Sequence, residues 1–287
     1  MRELGKIAIG TVQFGVDYGI SNSQGRVSTG KVADILEYAK DVGITCLDTA
    51  QAYNSEGVLG SIGVSDDFNV VSKFSSVDVP ALDTFKRSIE LLGVKKIYGY
   101  LAHSFSIIEK NIEHYQELIE LKREGFIQKI GASLYHPYEA QYILDKKIEV
   151  DLVQIPYSIF DQRFNSVLPM LNDKGIEIHS RSTFLQGLIF LDYDKLHPYF
   201  QSVKDTLKGF HDFCNEIMLD PATVALDFVI ANEFIDKVVV GVTSTDELKS
   251  NIEALEHVDT VKSRMNDVKS FEIKDENTLL PYLWKIN

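Results

Sequence analysis

Four side chains in the first half of the chain could together move a proton: Asp48, Tyr53, Lys73 and His103. Asp48 closes a short apolar run, Ile44-Thr45-Cys46-Leu47, that reads as a buried strand, and Tyr53 lies in the loop behind it. Lys73 stands near the end of a second run, Asn69 to Phe74, and His103 follows a third, Ile97 to Leu101. Singly, each has a plain explanation. Asp48 could cap the Thr49 and Ala50 amides, Tyr53 could pack on a rim, Lys73 could snorkel, and His103 could be a hydrogen-bonded histidine. Delivered to one rim, they make an acid site. A phenol, with a pKa of about 10, is a poor proton donor. A neighbouring ammonium lowers that value, an aspartate keeps the ammonium charged and oriented, and an imidazole can hold a substrate carbonyl in line. The set has no reductant, so a hydride must come from a bound cofactor.

Those runs belong to a longer alternation. Strand-like stretches recur at Ile7 to Gly10, Ile44 to Leu47, Asn69 to Phe74, Ile97 to Leu101, 128 to 133, Leu152 to Pro156, Ile176 to Ser180 and Lys237 to Val240. Helical patterns lie between them. Ser28 or Thr29 caps one running to Asp41, Pro80 opens one striped by Leu82, Phe85, Ile89 and Leu92, and another spans Ile108 to Arg123. Eight such units predict an α/β fold, a (β/α)8 TIM barrel with an extended segment between the seventh and eighth strands. An open doubly wound sheet would alternate too, but no GxGxxG follows the first strand. In such a barrel, functional groups gather at the C-terminal ends of the strands, which is where the four residues fall. The tail from 258 is polar, then apolar at Leu279-Leu280 and Tyr282-Leu283-Trp284, so it should dock back and leave residues 1–287 one domain.

Composition removes several classes of partner. The 287 residues carry 29 Lys and Arg against 42 Asp and Glu, a net charge of -13 that argues against nucleic acid or an anionic membrane. Cys46 in an apolar strand and Cys214 in a helical pattern read as isolated buried thiols of a reducing compartment; no metal site is expected. The opening MRELGKIAIG is too short in its apolar part for a signal peptide, so the cytoplasm is the expected location. A monomer or weak homo-oligomer is expected.

Strung along the chain in order are GTVQFG (10 to 15), DTAQAYNSE (48 to 56), SKF (72 to 74), LAH (101 to 103), GAS (131 to 133), VQIPYS (153 to 158), RSTFLQG (181 to 187) and GVTSTDELKSN (241 to 251). Over essentially its whole length the sequence resembles an aldo-keto reductase. That resemblance implies a (β/α)8 barrel reducing aldehydes or ketones with NADPH, with Tyr53 as general acid, Lys73 and Asp48 tuning it, and His103 orienting the carbonyl. It further implies cofactor contacts. Gly10 and Thr11 stand at the first strand's end, Ser133 and Gln154 meet the carboxamide, Arg181 stands at the nicotinamide, and Ser182, Phe184 and Gly187 lie along the pyrophosphate stretch. Gly241, Thr243, Ser244, Glu247 and Asn251 hold the adenosine end, where backbone amides at a helix start suit a phosphate. Gln154, a glutamine inside an apolar strand, needs a buried partner in any case.

Three departures from the family pattern bear on function. Arg181 replaces an aromatic that stacks on nicotinamide, adding a charge that could draw an anionic substrate. Leu134 replaces a polar neighbour of the carboxamide. Gly241 and Glu247 stand where Lys or Arg often meets the 2'-phosphate, so NADH use is admitted beside NADPH. The substrate pocket is expected from Val12, Phe14, Asp17, Tyr18, Tyr157, Phe160 and the segment after the seventh strand. With Asp17, Arg163 and Arg181 it should be polar, suiting a sugar-like or hydroxylated carbonyl compound. Two other classes stay open: a barrel isomerase or lyase using Lys73 as a Schiff base, and a non-catalytic nicotinamide-binding sensor or regulatory subunit.

Overall fold

The computed structural model describes residues 3–22, 24–64 and 68–286. Eight parallel strands close into a barrel in sequence order: β1 (Ile7–Gly10), β2 (Cys46–Asp48), β3 (Asn69–Phe74), β4 (Ile97–Ala102), β5 (Ile127–Ser133), β6 (Leu152–Pro156), β7 (Glu177–Arg181) and β8 (Lys237–Gly241). β8 pairs back onto β1, Gly10 lying opposite Gly241, and that pairing leaves the sheet without an edge. The (β/α)8 expectation holds.

Inside the barrel, Ala8, Cys46, Val71, Leu101 and Leu152 pack with Tyr98 and Val239 into an apolar plug. The larger core lies between strands and helices, which is why the strands read as nearly continuous apolar runs. Polar groups bound the plug at both ends. On the N-terminal side Glu177 accepts from Tyr98 Oη at 2.7 Å, sits 2.6 Å from His179 Nε2, and ion-pairs with Lys129. On the C-terminal side stand Asp48 and Lys73.

Four local expectations shift. β2 begins at Cys46, not Ile44, because the Ile44 N–H donates to Ala39 O at 2.8 Å and closes the preceding helix, Thr29–Asp41. Asp48 thereby becomes the strand's last residue and is held by its ladder. The helix expected at 108–123 is two, Phe105–Lys110 and Ile112–Arg123. They part at Asn111, whose backbone leaves the helical region (φ -147°, ψ 70°) and whose side chain donates to Val77 O at 3.1 Å. In helix Ala81–Leu92 the buried positions are Ala81, Thr84, Phe85, Ser88 and Leu92, while Ile89 is half-buried and Leu82 is exposed. The tail is more structured than its polarity suggested: short helices Val258–Ser263 and Met265–Lys269 bury Val258, Val261 and Val268. Its end does return to the barrel. Leu279 and Leu280 are buried, and Trp284 meets Phe200 edge-on at 4.9 Å. Among the described residues no helix is long and apolar enough to cross a membrane.

One glycine ties the first loop to the second. A Cβ on Gly15 would stand 1.8 Å from Tyr53 O, so the single helical turn Val12–Gly15 can lie against the Tyr53 backbone only because that side chain is absent. Asn54 then reverses the chain in the left-handed region, with φ of 58°, before helix Glu56–Ile62. Tyr53 is positioned by this pinch.

Candidate active site

Three neighbouring strands and the turn after β2 bring Asp48, Lys73, His103 and Tyr53 together. Lys73, near the end of β3, is fully buried, and its ammonium donates to Asp48 Oδ1 at 2.8 Å, Asp48 Oδ2 at 2.7 Å and Thr49 O at 2.9 Å. Those acceptors satisfy all its protons, so Lys73 has none left for the Tyr53 hydroxyl. It reaches the phenol through space instead, Nζ standing 5.2 Å from the ring centroid. His103, just past β4, meets Tyr53 edge-on, ring centroids 5.6 Å apart at 85°. Gln154 donates its amide to Asp48 Oδ2 at 2.7 Å, which is the buried partner that strand glutamine required. A Schiff-base role for Lys73 would need an unpaired, desolvated amine, and this amine is closed in a pair.

Burial shapes each group's protonation. It pushes the Tyr53 phenol above its ordinary range, and the Asp48 charge adds to the rise. This reverses the expectation of a lowered phenol: with Lys73 committed to Asp48, the ammonium does not offset desolvation. The phenol is therefore a fully protonated donor at neutral pH. Burial pulls the Lys73 ammonium down while Asp48 opposes the shift. His103 is pushed down to about 4, by burial first and by the Lys73 charge second, so its imidazole is neutral at pH 7. An unfolded His103 takes a proton below about 6.5, whereas the folded one resists until about 4. Stability is therefore lost as pH falls through that window. Between pH 7 and 4.5 the loss from this residue should reach at most about 2.5 kcal/mol. Urea unfolding at the two pH values should show the fall shrinking in His103→Gln; equal falls in both proteins would rule it out.

The set forms the wall of a cavity of about 820 Å³ at the C-terminal ends of the strands. Of the residues expected at the site, Asp48, Tyr53, His103, Gly10, Thr11, Ser133, Gln154, Arg181, Ser182, Phe184, Gly187, Gly241, Thr243, Ser244, Glu247 and Asn251 all line it. Lys73 lies beneath. The lining suits an extended dinucleotide. Gly10 and Gly241 open the floor, where a Cβ on Gly241 would stand 2.5 Å from Gln13 Nε2. Gln13 Oε1 and Thr183 Oγ1 are buried there with no hydrogen-bond partner among the described residues, and Ser133 shares register with Gln154 across β5 and β6. Helix Thr245–Ala254 begins at the wall, with Ser244 as its cap accepting from the Glu247 N–H at 3.2 Å. Ser182, Leu185 and Gln186 all hold positive φ, so the loop after β7 is strained along the cavity.

The substrate end differs from expectation. Val12 and Tyr18 line the cavity, but Phe14, Tyr157 and Phe160 do not. Phe14 is in the core, Tyr157 stacks on Phe228 at 5.6 Å, and Phe160 packs edge-on against Phe210 at 5.4 Å. Arg163 is spent on Asp161 and Glu276, at 2.8 and 2.7 Å, and does not line the cavity. Asp17 does not line it either; it lies beside Gly25. Their places are taken by Tyr135, Gln186, Phe190 and, from the tail, Tyr282, whose ring meets Tyr135 at 5.1 Å. Tyr135 was within reach of the sequence, two residues beyond Ser133. Tyr282 was not, because only tertiary docking carries the tail to the mouth.

Sequence and barrel match one family. The aldo/keto reductase family model covers residues 6–273, and the chain belongs to that family. It is accordingly an NAD(P)H-dependent oxidoreductase. Among curated relatives it is 29% identical over 190 residues to an NADH-specific methylglyoxal reductase of Escherichia coli, covering 58% of this chain and 57% of that protein. It is 22% identical to the uncharacterized oxidoreductase YqkF of Bacillus subtilis, over 78% of this chain and 82% of that one. The barrel superposes on the holo form of the aldo-keto reductase AKR11C1 from Bacillus halodurans with a TM-score of 0.70, at 21% identity over 89% and 91% of the two chains.

Proposed function

We propose that this chain reduces a small, hydroxylated aldehyde or ketone to the alcohol, with Tyr53 as general acid and NADH as the preferred hydride source. When bound, the nicotinamide supplies the hydride. Tyr53 gives its proton to the carbonyl oxygen as that oxygen gains charge, and His103, neutral, donates a hydrogen bond to the same oxygen. Lys73, locked by Asp48, places positive charge under the phenolate left behind, which solvent then reprotonates. The observation carrying this reading is the closed Lys73–Asp48 pair beneath a protonated phenol on the cavity wall.

The NADH preference rests on the helix after β8. Glu247 lines the cavity and accepts from the Thr243 N–H at 2.6 Å and its hydroxyl at 2.9 Å, so its carboxylate is fixed. Asp246 also lines the wall, and the nearby Lys249 pairs with Asp246 at 3.5 Å. A 2'-phosphate there meets two carboxylates, whereas a ribose hydroxyl can donate to one. The relative that is NADH-specific by name fits the same preference. Fluorescence titration should give NADH a Kd roughly 10- to 100-fold below that of NADPH, and Glu247→Gln should narrow the gap about tenfold. Equal affinity in the wild type would sink the cofactor choice; binding of neither nucleotide would sink the whole reading.

A further inference from the structure

One positive charge in the cavity has no ion-pair partner among the described residues. Arg181 ends β7 on the cavity wall, and its field is felt at Tyr53, Tyr18 and His103. Its guanidinium lies over the Tyr135 ring, 4.3 Å from the centroid, and donates to Leu134 O at 3.2 Å and Ser182 Oγ at 3.3 Å. All three contacts are neutral. They aim the guanidinium without compensating its charge, and among the described residues no carboxylate pairs with it. Of the other charges nearby, the buried Glu139 carboxylate feels Arg181 but lies outside the cavity lining, where the Tyr135 and His136 N–H groups donate to it at 2.6 and 3.1 Å. Asp48 and Lys73 form a closed pair, and the His103 imidazole is neutral at pH 7. Asp246 and Glu247, the remaining acids of the lining, belong to the helix after β8. In a chain of net charge -13, this leaves one local positive spot at the catalytic end.

A half-buried guanidinium keeps unused donors whose natural complement is a planar or tetrahedral oxyanion. Contact with Leu134 O, next to Ser133, sets Arg181 beside the ends of β5 and β6, and its charge acts from there on Tyr53. It does not lie on the 184–187 loop. We propose that the substrate itself carries an anionic group, a carboxylate or a phosphate, that docks on Arg181 while its carbonyl, a few carbons away, faces Tyr53 and His103. This rests on the carbonyl-reductase reading and narrows its substrate class. Arg181 is then a specificity-determining residue, and Tyr135 is the platform that holds it.

The test uses matched carbonyl pairs with NADH and the full chain: succinic semialdehyde against butanal, and glyceraldehyde 3-phosphate against glyceraldehyde. The anionic member of at least one pair should have the higher kcat/KM by about 100-fold, and which pair separates identifies carboxylate or phosphate. In Arg181→Met that ratio should fall about 50-fold, with Arg181→Lys in between. Taking the ratio within one protein cancels any effect on the nucleotide. No preference in either pair, or a ratio unmoved in Arg181→Met, overturns the inference and leaves the reductase reading standing. If no carbonyl is reduced at all, that reading fails first. Binding of succinate or inorganic phosphate to the NADH complex, read by cofactor fluorescence, then decides. Binding that Arg181→Met abolishes supports the anion site, and absence of binding in the wild type refutes it.

Discussion

Tyr53→Phe should leave carbonyl reduction at least about 1000-fold below wild type while the Kd for NADH stays within about twofold. The ring itself has structural contacts, edge-on to His103 and over the Lys73 ammonium, and phenylalanine keeps both. The hydroxyl makes no hydrogen bond to the protein among the described residues, so removing it leaves no orphaned partner behind. The loss should therefore fall on kcat and spare the folded state. Absorbance assays across a panel of aldehydes, with nucleotide binding followed by fluorescence, separate the two quantities. More than a tenth of wild-type turnover in the variant would remove Tyr53 as the acid. Normal NADH binding in a wild type that turns over nothing would favour a cofactor-binding sensor.

The barrel could be read from the chain because each strand is buried on both faces and so appears as a short apolar run between helical stripes. What the pattern could not carry were local hydrogen-bond choices. Ile44 has a strand former's side chain, yet its N–H closes a helix. Leu82 looks like a member of a stripe, yet Ala81 one residue earlier takes the buried face, since a stripe of small residues is invisible to a search for large ones. The tail helices were missed for a like reason: each is anchored by no more than two buried valines in an otherwise polar stretch.

The rim residues were equally legible, because in a parallel barrel the end of each strand is the end of its apolar run. Their internal wiring was not. That Lys73 spends every proton on Asp48 and Thr49, leaving the phenol raised and not lowered, depends on rotamers that spacing does not encode. The substrate end misled for a related reason. Phe14, Tyr157 and Phe160 sit beside site residues in the chain, but a loop leaving a strand can turn an aromatic inward to the core as readily as toward the cavity. Arg163 and Arg181 look alike in sequence; only the positions of Asp161 and Glu276 make one neutralised and the other not.

Lys73→Met should cost the fold as well as the reaction. The methionine fills the space of the lysine stem, but Asp48, 3% exposed, then loses its Lys73 counter-charge and, among the described residues, keeps the Gln154 amide as its one side-chain partner. Breaking a buried pair from one side costs roughly 3–5 kcal/mol, because the stranded carboxylate must take up a proton or draw in water. Adding Asp48→Asn removes the stranded charge. The double variant should recover much of that stability, since neither charge then remains buried alone. Activity should not recover, because both variants lack the positive charge beneath the Tyr53 phenolate that must form when the proton leaves. Urea denaturation and single-turnover reduction on the two variants and the wild type measure these effects separately. Stability restored together with turnover would mean that the pair only holds the barrel mouth in shape. Stability restored without turnover is the result expected of a charge that acts on the phenol.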